Sequence, residues 1–485
     1  MYKRQVIIGL EVHAQLLTRS KMFCSCRADY QDAPPNTFVC PVCLGAPGVL
    51  PVINKKAVEY TIMTALALNC EISPYTKFDR KNYSYPDLMK GYQISQYELP
   101  ISKNGWLEIE AGGRKRRIGI RRVHLEEDVA KLFHIKDPSG EAYSLVDVNR
   151  SGVPLMEIVT EPDIRSPEEA RLFLVKLRDI LRYLGVSSGD MEKGSFRCDA
   201  NISIRMGERS GEKVELKNMN SFKAVERALE YEVRRQVELL KEGRYIPQET
   251  RGWDEERGIT VSQRTKEYAH DYRYFPEPDL PPLVIEKEWV EEIRKKIPEL
   301  PDARRERFER EYGLPSYDAG ILTSSKAFAD FFEKTLSLYG SDAPLEKRAK
   351  NVSNWMLGEV LRLLNKEGKD IDEVELKPEH LSELLTLIDR GVLSIPMGKE
   401  VLEEVFHKGT SPSEIVEKRG ISQISSEEDI ERVVVQVIRD NEKAVNDYRS
   451  GKEQALKFLL GQVMKATKGR ANPQLALKIL KEKLG

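Results

Sequence analysis

From Arg197 to Arg205 apolar and polar residues alternate without a break. Cys198, Ala200, Ile202 and Ile204 fall on one side, and Asp199, Asn201, Ser203 and Arg205 on the other. A period of two is the signature of a half-buried strand. After a turn at Gly207 to Gly211, Val214 and Leu216 alternate with Lys213, Glu215 and Lys217, which predicts a second strand and an antiparallel hairpin. Its open face carries Asp199, Glu215 and Lys217: two carboxylates that could share a hard cation and an ammonium that could meet phosphate oxygens. A solvated outer sheet face accounts for the same pattern.

The same period recurs near the start of the chain, where Val6, Ile8, Leu10 and Val12 oppose Glu11, His13 and Gln15. Residues two apart on a strand project side by side, so Glu11 and His13 could hold one ion. Val123 and Leu125 alternate with Arg122, His124 and Glu126, and Glu127 and Asp128 follow. Three successive carboxylates at a strand end call for solvent or a cation. Asn149 to Gly152 separates two apolar runs, with Arg150 and Glu157 as the conspicuous charges of that stretch.

Helical periods stand between these strands. Residues 56–69 read as a packed helix. Ser166, Pro167 and Glu169 form a capping box ahead of Phe173, Leu174, Leu177, Leu181 and Leu184, and Gly185 ends that helix. Asn220 or Ser221 starts another that reaches Gly243. The stretch 77–100, dense in Tyr, Lys and Arg and broken by Pro86 and Gly91, reads as a loop; Arg80, Lys81 and Lys90 could meet phosphates there. Residues 270–283 predict a rigid extended segment. From about Glu286 strand patterns vanish and helical ones continue to the end. The expected class is α+β. Boundaries fall near 290 and 405, giving domains 1–290, 291–405 and 406–485.

Composition narrows the chemistry. With 77 Lys+Arg against 78 Asp+Glu, the net charge is −1, so a polyanion must bind a local patch rather than the whole surface. The last 29 residues supply such a patch: seven Lys/Arg against one Glu, with Lys465, Lys468 and Arg470 clustered. RNA backbone and plain solvation are both consistent with it. No apolar run approaches a membrane span and no signal peptide is visible, so a cytoplasmic protein with no membrane contact is expected. Six cysteines in 485 residues argue against a disulfide framework. Four of them, Cys24, Cys26, Cys40 and Cys43, form two close pairs across a short loop, the arrangement tetrahedral zinc requires; four reduced core thiols are the alternative. Cys70 and Cys198 read as core residues. There is no P-loop, dinucleotide fingerprint or nucleophile elbow, so nucleotide chemistry would rest on a metal and scattered basic residues.

Eight collinear segments carry a resemblance: GLEVHAQL, KFDRKNYSYPDL with KGYQISQ, HLEEDVAK, LVDVNRSGVPLMEIVTEPDIRSPEEA, RCDANIS, VELKNMNSF, DYRYFPEPDLPPL and GQVMKATKGRANPQL. Together they resemble the B-subunit family of bacterial heterotrimeric aspartyl/glutamyl-tRNA amidotransferases. The resemblance implies a cradle domain of antiparallel sheets and helices, a helical domain, and a helical YqeY-like tail that binds tRNA. It implies ATP-dependent phosphorylation, with Mg2+, of the side-chain carboxylate of Glu-tRNA(Gln) or Asp-tRNA(Asn). Amidation by ammonia from an amidase A subunit would follow, with a small C subunit completing the heterotrimer. By the same resemblance Glu11, His13, Glu126 or Glu127, Asp199 and Glu215 form the magnesium and catalytic face. Lys81, Arg150 and Lys217 contact phosphate, and Tyr83 and Tyr85 contact nucleotide or aminoacyl group. Zinc (Zn2+) is implied by cysteine spacing rather than by the family. A non-catalytic zinc-bearing RNA-binding protein is the competing reading; it leaves the acidic strand faces unexplained, since carboxylates repel phosphate.

Overall fold

The computed structural model describes residues 4–265, 272–420, 426–467 and 470–485. The chain divides into two compact units, Met1–Leu300 and Pro301–Gly485.

The first unit is built on a ten-stranded sheet. Its strands are β1 (Arg4–Gln15), β2 (Glu71–Ile72), β3 (Ser102–Ala111), β4 (Arg114–Glu127), β5 (Pro154–Thr160), β6 (Phe196–Met206), β7 (Arg209–Ser210), β8 (Val214–Lys217), β9 (Glu249–Asp254) and β10 (Ile259–Thr265). Their order is β10-β9-β8-β6-β1-β5-β4-β3-β2, with β7 paired to β6. All pairs are antiparallel except β8 with β9. The hairpin expected from the alternation is present, with Asn201 opposite Glu215 and Ala200 opposite Leu216. Its turn is tighter than expected, because Arg209 and Ser210 pair back onto β6.

One face of this sheet is apolar and covered. Ile8, Leu10, Ile202 and Ile204 pack into one cluster with Phe173, Leu174, Leu177 and Leu181 of helix α1 (Pro167–Leu184) and Ala224, Val225, Ala228 and Leu229 of helix α2 (Phe222–Lys241). The caps follow sequence logic, with one change. Ser166 Oγ accepts from Glu169 N at 3.1 Å, but Glu169 does not reach back to Ser166. Its carboxylate accepts from Arg165 N at 2.7 Å and binds Arg116 at 2.9 Å, so half of the expected capping box is replaced by an ion pair. Gly185 ends α1 at φ 67°, a left-handed position that favours glycine.

The 77–100 stretch is not a plain loop. Asp79–Asn82 and Tyr92–Ser95 pair antiparallel, and Phe275–Pro276 joins them. Charged and aromatic side chains mask any period of two there, and cross-strand partners distant in sequence decide the conformation. The residues 272–283 of the expected extended segment are described and feed two such edge pairings; residues 270 and 271 lie outside the described residues.

The second unit is helical. One apolar cluster runs from Phe308 to Ile415 and another from Ile430 to Leu484. The boundary expected near 405 falls inside the helix Ile395–Lys408, and Val405, Phe406 and Ile415 all belong to the first of these clusters. A half-buried ion network braces this unit. Glu333 accepts from Arg307 Nη1 at 2.7 Å, Arg304 Nη2 at 2.5 Å and the Tyr312 hydroxyl at 2.9 Å. Burial alone would raise the Glu333 carboxyl, but these hydrogen bonds outweigh it and hold it down to about 2.

Candidate active site

Directly opposed residues on neighbouring strands share a face. The register therefore assembles the uncovered side of the sheet from four strands. Glu11 stands opposite Asp199, His13 opposite both Arg197 and Glu157, Glu157 opposite His124, and Leu155 opposite Glu126. A cavity of about 540 Å³ opens over this face. His13, Glu126, Asp199, Arg197 and Lys217 line it, with Tyr83 and Gln93 on one side and the Asn218 to Asn220 turn on another. Asn218 has φ 64°, a conformation asparagine tolerates, and it turns the chain over the cavity directly after β8.

Two of the cavity's lining residues, His13 and Glu126, meet Glu157. One ligand atom from each lies within 4.8 Å of the others. His13 Nε2 is 3.7 Å from Glu126 Oε1 and 3.7 Å from Glu157 Oε2. His124 Nε2 lies 3.1 Å from the same Glu157 oxygen. Burial and the neighbouring Glu157 carboxylate together push the Glu126 carboxyl up to about 8, against the pull of Lys81. Burial would also raise Glu157, but His124, His13 and Lys81 outweigh it and hold it below the ordinary carboxylate range. Burial lowers His13, which favours the neutral imidazole that a metal takes as ligand.

The hairpin residues are arranged differently from a shared-cation pair. Lys217 Nζ lies 2.5 Å from Asp199 Oδ2 and 3.3 Å from Glu215 Oε1, so an ammonium stands between the two carboxylates. Burial acts to lower Lys217, but Asp199 and Glu215 outweigh it and raise it. Glu215 is fixed from the other side by Thr250 Oγ1, which donates to its Oε2 at 2.9 Å. Glu11 sits along the same face and accepts from Asn201 Nδ2 at 2.8 Å.

Other expected residues separate. Glu127 points away from Glu126: its carboxylate pairs with Lys90 and accepts from Ile94 N at 3.0 Å. Asp128, nearly inaccessible, binds Gln15 Nε2 at 2.8 Å and Arg197 Nη2 at 3.0 Å. Arg150 gives its Nε and Nη2 donors to the carbonyls of Val129 and Ala130, both at 2.9 Å. Lys81 lies under the cavity wall, 5.7 Å from the Tyr83 ring centroid and 4.9 Å from that of Tyr272. Tyr85 is 60% exposed and does not line the cavity. Sequence reasoning left Arg197, His124 and Glu157 without a role. The period of two places Arg197 with Asp199 and His124 with Glu126, so parity held the signal for both.

The four cysteines converge. Their sulfur atoms all lie within 4.8 Å of one another, and Cys40 and Cys43 Sγ are 3.9 Å apart. Tetrahedral Zn–S bonds of about 2.3 Å place sulfur atoms about 3.8 Å apart, so the donor set fits that geometry. Cys43 hydrogen bonds with Cys24, which holds its thiol down to about 4 and raises that of Cys24. Lys21 is fully buried beside the quartet. Its ammonium donates to the carbonyls of Phe38 at 2.8 Å and Val148 at 3.3 Å. Cys70 and Cys198 are buried core thiols. In the tail Lys465 lies exposed at the end of the helix Gln454–Ala466 and Arg470 just beyond it; Lys468 lies outside the described residues. No helix among the described residues is long and apolar enough to cross a membrane.

Residues 6–291 match the GatB/GatE catalytic domain family, and residues 330–484 match the GatB domain. The chain belongs to the amidotransferase B-subunit family. Among similar proteins is the B subunit of the aspartyl/glutamyl-tRNA(Asn/Gln) amidotransferase of Dehalococcoides mccartyi, 57% identical over 100% of this chain and 99% of the relative. The B subunits of the same name from Carboxydothermus hydrogenoformans and Caldanaerobacter subterraneus are 55% and 57% identical; the alignments cover 100% and 99% of this chain, and 99% of each relative. The family therefore spans both units of the chain, including the whole sheet that carries the cavity.

Proposed function

We propose that this chain activates a side-chain carboxylate on aminoacyl-tRNA by phosphoryl transfer from ATP and then amidates it. The observation that carries the reading is one cavity lined by His13, Glu126, Arg197 and Lys217, with Glu157 in ligand reach of His13 and Glu126. Membership of the B-subunit family, whose relatives are named for aspartyl/glutamyl-tRNA(Asn/Gln), supports Glu-tRNA(Gln) and Asp-tRNA(Asn) as the substrates.

In the first step an oxygen of the substrate carboxylate attacks the γ-phosphorus of ATP, and the bond from that phosphorus to ADP breaks. In the second, ammonia attacks the acyl carbon, the bond to the phosphate oxygen breaks, and phosphate and a proton leave. The protein supplies no nucleophile, which agrees with a site made of carboxylates, imidazoles and cations. Two carboxylates and one imidazole suit a divalent cation, and His13, Glu126 and Glu157 would hold Mg2+. When bound it neutralises charge on the phosphate oxygens. Lys217, fixed between Asp199 and Glu215, presents a positive charge to the same region. Glu11 extends the anionic row, and Tyr83 forms the wall on the 77–100 side with Lys81 against its ring. The cysteine quartet would hold Zn2+ as a structural cross-link. Ammonia would come from glutamine hydrolysed by an amidase A subunit, with a C subunit completing the complex, and the tail from residue 426 would bind tRNA.

The test is the assembled heterotrimer with ATP, Mg2+, glutamine and each mischarged tRNA. Formation of Gln-tRNA(Gln) or Asn-tRNA(Asn), stoichiometric with ADP, supports the reading. Tight tRNA binding without ATP turnover identifies a non-catalytic RNA-binding protein instead.

A further inference from the structure

We propose that Arg197 is the guanidinium that faces the transferred phosphoryl group. This rests on the phosphoryl-transfer reading of the cavity and assigns within it a catalytic residue.

Among the described residues four cations lie at or near the site, and the structure commits three of them elsewhere. Arg150 spends Nε and Nη2 on two backbone carbonyls and does not line the cavity. Lys217 is held by two carboxylates. Lys81 lies against aromatic rings. Arg197 differs from all three. One nitrogen, Nη2, is anchored on Asp128 Oδ1 at 3.0 Å, while Nε and Nη1 donate to no group among the described residues. Its side chain is 38% exposed and lines the cavity.

The anchor is rigid. Asp128 is 2% exposed, and its other oxygen accepts from Gln15 at 2.8 Å. The guanidinium is thus fixed at one corner, lines the cavity and keeps donors to spare. Register places it beside the proposed metal ligands, because Arg197 stands opposite His13 on the adjacent strand. During transfer, charge spreads over three equatorial oxygens of the phosphoryl group while the bond to ADP breaks and the bond to the substrate carboxylate forms. Nη2 carries a second hydrogen besides the one given to Asp128, and with Nε or Nη1 it forms a planar fork that matches two such oxygens at once, which an ammonium cannot do. Asp128 would then be a positioning residue: it acts through Arg197 and touches no reacting atom.

The experiment uses the complete heterotrimer carrying R197A or R197K, with Glu-tRNA(Gln), ATP, Mg2+ and ammonium chloride, so that glutamine hydrolysis is bypassed. ADP formation by R197A should fall about a thousandfold in kcat, the scale of a phosphoryl-facing arginine. Binding of tRNA and glutamine hydrolysis by the partner should persist. R197K, which keeps a charge near Asp128, should recover no more than about tenfold. Added guanidinium or ethylguanidinium should restore ADP formation by R197A in a saturable manner. Should R197A fail to fold, a kcat deficit of about a hundredfold or more in folded R197K decides in favour. Turnover by either variant within about threefold of wild type overturns the assignment. So does a deficit that guanidinium does not lift and that tracks a lowered melting temperature. If the wild-type complex itself makes no ADP with Glu-tRNA(Gln), the phosphoryl-transfer reading fails, and no variant is needed to see it.

Discussion

Asp199→Asn and Glu215→Gln test whether the hairpin face works in the reaction or is only a solvated edge. Each change keeps size and hydrogen-bonding capacity and removes one negative charge. The charge removed is one that fixes Lys217, whose ammonium stands 2.5 Å from Asp199 and 3.3 Å from Glu215. Lys217 is 34% exposed, so solvent screens the pair and its contribution to stability is about 1 kcal/mol. For a domain this large that is a melting shift of about 2–4 °C or less. The catalytic effect is larger, because a displacement near 1 Å of a positioned group costs about a hundredfold in rate. That corresponds to about 2.7 kcal/mol of barrier. A large loss of rate with a small loss of stability is therefore the expected signature, and Glu215→Gln should preserve the hydrogen bond from Thr250. The assay is ADP release with Glu-tRNA(Gln) and ammonium across a Mg2+ titration, alongside thermal unfolding. If both variants turn over within about threefold of wild type, the face is a solvated surface and the argument from Lys217 is wrong.

Four further outcomes are expected. Cys24→Ser should lower thermal stability of the first unit, and Lys21→Met should weaken zinc retention by about 10–100-fold in a chelator competition, because the buried ammonium offsets the charge of four thiolates; unchanged retention would remove that role. Glu333, whose folded pKa is depressed to about 2, should contribute stability above the unfolded carboxyl pKa and lose it as pH falls from about 4.5 toward 2, and Glu333→Gln should flatten that acid-side slope in denaturant titrations of the full chain. Deleting the chain from residue 426 should weaken tRNA binding and reduce its salt dependence while the other apolar clusters stay folded; a cut at 406 would instead sever Ile415 from the cluster it packs in.

The alternation along β1, β4, β6 and β8 was enough to read the strands, the buried side and the polar row from sequence. Parity depends only on local geometry, so it survives without knowledge of partners. Which polar residues meet was not legible in the same way. His13 and Glu11 are two apart and share a face, yet His13 joins Glu126 and Glu157 from other strands, because antiparallel register brings them opposite or diagonal. Glu126 and Glu127 are adjacent in sequence and point to opposite sides, one to the cavity and one to Lys90. Arg150 looked available as an isolated charge near a glycine, but free backbone carbonyls at Val129 and Ala130 claim it. The cysteine pairs were readable because two close pairs across a short loop can meet at one point; the buried Lys21 beside them was not, since nothing local marks a lysine for the interior.

In the proposed reaction the substrate carboxylate itself is phosphorylated. The most direct measurement supplies the heterotrimer with Glu-tRNA(Gln) carrying oxygen-18 in the side-chain carboxylate, together with unlabelled ATP, Mg2+ and ammonium, and weighs the released phosphate by mass spectrometry. Attack by that carboxylate on the γ-phosphorus, followed by loss of phosphate from the acyl carbon, moves one labelled oxygen into each phosphate formed. Phosphate carrying one oxygen-18 per Gln-tRNA(Gln) produced is the result this account predicts; unlabelled phosphate formed alongside Gln-tRNA(Gln) would contradict it.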